Sequence, residues 1–237
     1  MKLGILGAGP AGIFAALKIR NITMNDVHLF DLNPTIGRKF AATGSGRCNI
    51  TNLRLKKEDY YSIQKSDLSA MIERFPPQEI RKILESEGIP TTVTDDGWVY
   101  PLSFSALNVT RILRNNLLSA GVSLFENARI TALRRKGSQF LFSLDNNPNP
   151  LNFDRVIIAS GGKAHPQLQA DTSIITSIQK MGITLLPFRP ALAPIELEEK
   201  TFQALSGVRL DAGLSLYQND HLVKHSEGNI IITDFDL

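Results

Sequence analysis

Apolar and polar positions divide the chain into a β-α-β opening, a helical middle and a strand-rich remainder. That pattern belongs to the α/β class. Residues 2–6 read as a buried strand, 10–20 as a helix and 27–31 as a second strand. A long loop rich in Gly, Thr, Asn and Arg follows over 33–55. Helical stretches come next near 66–74 and 77–87, broken by Pro76-Pro77 and closed by Gly88. Residues 105–119 predict an amphipathic helix, with Leu107, Ile112, Leu113 and Leu117 spaced to share one side and Gly121 ending it.

The texture then changes. Residues 122–125, 128–134 and 139–144 predict short strands, with Lys136-Gly137-Ser138 as a hairpin turn. Residues 145–150 (DNNPNP) read as a turn cluster. The nearly all-apolar run 153–159 has the character of a parallel-sheet strand and leads into Ser160-Gly161-Gly162. A helix is expected near 172–181. From about Pro187 the chain reads as β-rich, with 208–217, 221–225 and 229–233 as three strands of a meander.

Composition narrows the function classes. The 237 residues are 43% hydrophobic and 21% charged, as in an ordinary globular protein. Lys+Arg of 26 against Asp+Glu of 23 gives a net charge of only +3, too little for a nucleic-acid footprint. The densest basic cluster, Arg134-Arg135-Lys136, reads as the end of a strand entering a turn. Cys48 is the one cysteine, so no intrachain disulfide is possible, which fits a reducing cytosol. Residues 3–17 carry no charge and resemble a signal peptide, but Gly4, Gly7, Gly9, Pro10 and Gly12 interrupt them. The expectation is a cytoplasmic protein with no membrane or nucleic-acid partner and an unknown small-molecule substrate.

The same glycines carry the first candidate chemistry. Gly7-x-Gly9-x-x-Gly12 lies between the first strand and the first helix. There Gly7 permits a tight turn, Gly9 lets the backbone approach a pyrophosphate, and Gly12 lets the helix pack closely. The helix N-terminus offers N–H groups and partial positive charge to phosphates. Asp31 ends the second strand, where a carboxylate can accept from a ribose diol and repels a 2′-phosphate, favouring FAD or NAD over NADP. A second motif, GRKFAATGSGRCNITN over 37–52, gathers the cations Arg38, Lys39 and Arg47. It also holds Gly44 and Gly46 for backbone approach, and Asn49, Thr51 and Asn52 as hydrogen-bonding groups. By composition alone a solvated surface loop is the better reading of this stretch.

The loop resembles the signature of the BaiN-like (YhiN-type) NAD(P)/FAD-dependent oxidoreductases, which carry G-R-K followed by S-G-G-G-R-C-N-x-T-N. GRK at 37–39 and GRCNITN at 46–52 match. GWVYP (97–101), IIASGG (157–162) and RPALAPIEL (189–197) are similar to further motifs of that family. The resemblance implies a Rossmann-like FAD domain with a three-stranded β-meander, then the start of a β-rich inserted domain. It implies FAD as cofactor, with NAD(P)H as an electron donor and hydride transfer at flavin N5. It places Gly7, Gly9, Pro10, Ala11, Gly12, Asp31, Arg38, Lys39, Gly44, Gly46, Arg47, Cys48, Asn49, Ala159, Gly161 and Gly162 at or near FAD. Arg129 and Ile130 would lie near the adenine. No catalytic acid or base is named, and the substrate stays open.

Two stretches depart from the family. Where it has a glycine-rich run after A-T-G-G, residues 163–173 read KAHPQLQADTS. Residues 228–237 match a family run that continues further, with Asp234 for His and Asp236 for Gly. The expectation is therefore a C-terminally truncated member: residues 1–186 as a FAD domain lacking its return segment, and 187–237 as part of the inserted domain. Two other readings remain: a non-enzymatic remnant with weak or no nucleotide binding, and an NAD-binding protein without flavin. No metal site is expected. His221 and His225 on one strand would stand about 13 Å apart. Cys48 reads as a small residue filling a tight loop rather than a redox thiol, and His28 as structural. His165 reads as structural or solvent-facing more readily than as a proton donor.

Overall fold

In the computed structural model, residues 1–60, 65–162, 173–188, 195 and 204–233 are described. The stretch 163–172 with His165, most of the 189–197 motif and residues 234–237 lie outside them. The elements in chain order are β1 (Lys2–Leu6), α1 (Pro10–Ile22), β2 (Asp26–Phe30), α2 (Arg38–Ala42) and β3 (Thr51–Asn52). Then come α3 (Lys65–Arg74), α4 (Pro77–Ser86), β4 (Thr91–Val93), β5 (Trp98–Pro101), α5 (Ala106–Ser119) and β6 (Ser123–Phe125). The last are β7 (Ile130–Lys136), β8 (Gln139–Leu144), β9 (Asn147–Phe153), β10 (Arg155–Ile158), α6 (Ser173–Lys180), β11 (Arg209–Gln218) and β12 (His221–Ile231).

The fold is α/β, centred on a four-stranded parallel sheet in the order β10-β1-β2-β6. Alternate side chains of β1 and β2 serve two different cores. Leu3, Ile5, Val27 and Leu29 face α1 and α5, packing with Ile13, Ala16, Val109 and Leu113. Leu6 and Phe30 face the other way, toward Phe142 and Phe153 of the meander and Ile174 of α6. Gly4 makes that second layer possible. A Cβ at Gly4 would meet Phe153 Cγ at 2.9 Å and Phe142 Cε2 at 3.0 Å.

Several expectations are corrected. The 33–55 loop contains the short helix α2, a 3-10 turn over Thr43–Gly46 and the strand β3. β3 joins β4 and β5 in a small antiparallel sheet. The buried stripe of α5 is Ala106, Val109, Leu113 and Leu117, while Leu107 is exposed. Residues 123–125 pair with β2 in the parallel sheet, so the meander is β7-β8-β9. Its third strand takes in most of the expected turn cluster. Pro148 and Pro150 sit in edge strand β9 at a register irregularity, where no ladder N–H is needed. Phe153 belongs to β9, so the strand expected over 153–159 is β10 alone, Arg155–Ile158.

The chain forms two compact units, Met1–Phe188 and Arg189–Leu237. The second contains a hairpin of β11 and β12 rather than a three-stranded meander. Gly228 pairs with Ala212 inside one continuous strand instead of turning. Asn219 and Asp220, at φ 49° and 60°, make the tight turn, as expected for a two-residue hairpin loop. No helix among the described residues is long and apolar enough to cross a membrane.

Candidate functional site

The cleft opens where parallel strands usually bind ligands, at their carboxyl ends beside the point where strand order reverses. Chain connectivity runs from β1 to β2 on one side, while β10 lies on the other. The turn after β1 is fixed by Gly7 N donating to Phe30 O at 2.8 Å and Ala159 N donating to Leu6 O at 2.7 Å. Lining this cleft are Gly7, Gly9, Asp31, Arg38, Lys39, Ile130 and Ala159 of the expected set. Ala8, Asn33 and Ser160 line it as well.

The three glycines do different work. Gly7 has φ +99°, and a Cβ there would lie 2.5 Å from Ala159 O. A Cβ at Gly12 would collide with Gly7 O, so this glycine closes the turn on itself. Gly9 is the opposite case. Nothing lies within 4 Å of where its Cβ would be, and its φ of −76° suits any residue. Its missing side chain leaves open space facing the cleft. Behind it, α1 begins with Pro10 in its first turn, no acidic residue there and no side-chain cap. Its first N–H groups, Ala11 and Gly12 among them, have no intrahelical acceptor.

Asp31 is buried, with 9% exposure. Its Oδ2 accepts from Ala8 N at 2.7 Å. Its Oδ1 accepts from Asn33 N at 2.8 Å and Asn33 Nδ2 at 2.9 Å. Asn33 Oδ1 in turn accepts from Arg38 Nη1. Arg38 therefore sits at the β2 side of the cleft. Lys39, its neighbour, reaches the β10 side, where its Nζ occupies the space that a Cβ on Gly161 would take. A backbone opening at Gly9, a helix N-terminus and two cations on opposite sides fit the diphosphate of a dinucleotide.

The rest of the second motif, residues 40–52, stands outside the lining of this cleft. Gly44 (φ 56°), Ser45 (φ 54°) and Gly46 (φ 86°) turn left-handed in sequence. Arg47 places its guanidinium over Tyr100, 5.4 Å from the ring centroid. Asn49 Oδ1 is buried with no hydrogen-bond partner. Asn52 is used internally, its Nδ2 donating to Asp96 O at 3.1 Å and its Oδ1 accepting from Arg54 N at 2.8 Å. Its amide is engaged beside the small sheet, outside the cleft lining. Cys48 also belongs to the core rather than to the cleft. Its side chain is fully buried, and burial pushes the thiol up to about 11 despite a hydrogen bond with Thr43. Its thiol is held neutral by burial and lies outside the cleft lining.

Gly161 has φ +81° and lies against Lys39, while Gly162 lies against the Phe188 ring, 2.9 Å from its would-be Cβ. His28 stacks on Phe125 with centroids 5.7 Å apart, and its Nε2 lies 2.9 Å from Asp26 Oδ2. That is a structural position within β2. Among the described residues no cluster of His, Cys, Asp or Glu could hold a metal ion. Asn33 is among the cleft residues that sequence reasoning passed over, with Ala8, Leu32 and Ala128. In the run DLNP it carries only the signal of a turn former.

Comparison with known proteins supplies the rest. The model of the HI0933-like protein Rossmann domain matches residues 1–225. A 3-dehydro-bile acid delta(4,6)-reductase of Clostridium scindens is 30% identical over all of this chain and 57% of its own length. A ribosomal RNA dihydrouridine synthase of Haemophilus influenzae is 26% identical over 87% of this chain and 52% of its own length. The chain thus spans about half the length of the curated relatives it matches. Among solved structures, Thermovibrio ammonificans THI4 superimposes with a TM-score of 0.51 at 16% identity, covering 77% of this chain and 63% of that one. That likeness is one of fold.

Proposed function

Because the chain belongs to the HI0933-like Rossmann-domain family, we propose that it is the dinucleotide-binding part of a flavin-dependent reductase. FAD is the cofactor that the family and the cleft support. Bound FAD would supply a two-electron carrier whose ring N5 accepts and gives hydride. The chain's own residues do the binding and orienting. Gly9 and the first turn of α1 receive the pyrophosphate. Arg38 and Lys39 neutralise its charge from opposite sides. Ile130 borders the adenine end, and Asp31 closes the ribose end.

The substrate class follows from what the relatives' names share. A delta(4,6)-reductase of a 3-dehydro-bile acid and a dihydrouridine synthase both describe adding two electrons and two protons to a carbon–carbon double bond conjugated with a carbonyl. We assign the same substrate class, an activated alkene, to this protein. Reduced nicotinamide is the expected electron donor.

The observation that carries this reading is the convergence of Gly9, Asp31, Arg38 and Lys39 on one cleft at the carboxyl ends of β1 and β2. Its test is reconstitution of the purified chain with FAD, followed by the visible spectrum after gel filtration. Retained flavin absorbance supports the reading. Binding of NAD without FAD favours the flavin-free alternative, and binding of neither favours a non-enzymatic protein.

A further inference from the structure

The hydrogen-bond order around Asp31 assigns a role to Asn33 that the motif does not. An ionised carboxylate accepts about four hydrogen bonds. Ala8 N, Asn33 N and Asn33 Nδ2 already donate to Asp31. Little capacity remains for both hydroxyls of a ribose. The side chain of Asn33 is constrained from both ends. Its amide NH2 must face Asp31, because a carboxylate only accepts. Its carbonyl must face Arg38, because a guanidinium only donates. The two contacts together fix which way the amide points. Asn33 is 9% exposed, so water competes little for either contact.

We propose that Asp31, Asn33 and Arg38 form a relay in which Asn33 is a positioning residue that aims the Arg38 guanidinium at a phosphate of the bound adenine nucleotide. Asp31 acts mainly by holding Asn33 and the Ala8 amide, and only secondarily by reading ribose. The relay rests on the dinucleotide-binding reading of the cleft. Neither aspartate nor leucine at residue 33 reproduces it. Aspartate keeps the acceptor for Arg38 but sets a second carboxylate against Asp31. Leucine has neither donor nor acceptor.

A double-mutant cycle tests this, using FAD affinity of the full chain measured at low and high salt. Asn33→Ala and Arg38→Ala are each expected to weaken binding roughly tenfold. The double variant is expected to bind no more weakly than Arg38→Ala alone. Both single variants should show a shallower salt dependence than the parent, since each removes the same aimed charge. Asn33→Asp should bind more weakly than Asn33→Ala. Additive losses, or a parental salt dependence in Asn33→Ala, overturn the relay. Arg38 is partly exposed, so Arg38→Ala folds even if the Asn33 variants do not. Parental affinity and salt dependence in Arg38→Ala overturn the proposal by themselves. The same titrations are run with ADP, which carries the same diphosphate. Binding of ADP but not FAD by the parent contradicts the cofactor reading and leaves the cycle to be scored on ADP. Binding of neither contradicts both.

Discussion

Lys39 and Gly161 share one space: the lysine ammonium, coming from α2, fills the position that a side chain at residue 161 would need. The cation on the β10 side of the cleft is therefore placed by the absence of a Cβ. Gly161→Ala should displace Lys39 and strain a backbone at φ +81°. The expected result is a loss of FAD affinity of about tenfold, with Lys39→Ala giving a loss of similar size. Isothermal titration of both variants checks it. If Gly161→Ala binds as the parent does while Lys39→Ala is weakened, the link between the two residues is wrong.

Gly4 should be a stability residue rather than a binding one. Its alanine variant must move Phe153 or Phe142, both fully buried. Overpacking of this kind costs about 1–3 kcal/mol. Urea unfolding of Gly4→Ala should show that loss, with dinucleotide affinity unchanged when measured well below the transition. Unaltered stability would mean that the meander does not pack on β1 as described.

Cys48 predicts a specific pH response. Burial raises its folded-state pKa from 9.0 to about 11. Folding therefore favours the protonated thiol. That contribution is fully present below the unfolded value and is lost as pH rises through the folded one. Stability should fall between about pH 9 and 11, and part of that fall should vanish in Cys48→Ala. At neutral pH the native thiol should react with an aromatic disulfide far more slowly than the unfolded chain does. Equal rates would show that Cys48 is accessible.

Local signals carried much of the site. A strand, three glycines at fixed spacing, a helix and Asp31 were legible, because each depends on neighbours in the chain. Longer-range pairing was not. Three apolar residues at 123–125 look alike whether they join a meander or a parallel sheet, and only packing beside β2 decides. Pro148 and Pro150 read as turn residues until the edge position of β9 removes the need for their missing donors. Gly228 reads as a break until its partner Ala212 is seen. Asn33 was missed for a related reason. Its amide gains meaning only when Asp31 and Arg38 are brought to either side of it. Residue type alone likewise does not reveal that β3 buries Thr51 and Asn52.

Gly9→Val is the decisive variant for dinucleotide binding at this cleft. Nothing lies within 4 Å of the added side chain's first atom, so the fold should tolerate it, at a cost of about 1 kcal/mol for a poorer helix N-cap. The new side chain would occupy the space assigned to the pyrophosphate. FAD titration of the parent and the variant, with thermal unfolding of each as a control, is the measurement. The parent should bind FAD saturably, and a Gly9→Val protein that unfolds cooperatively near the parental temperature should not bind it. Parental FAD affinity in a folded Gly9→Val variant would contradict it.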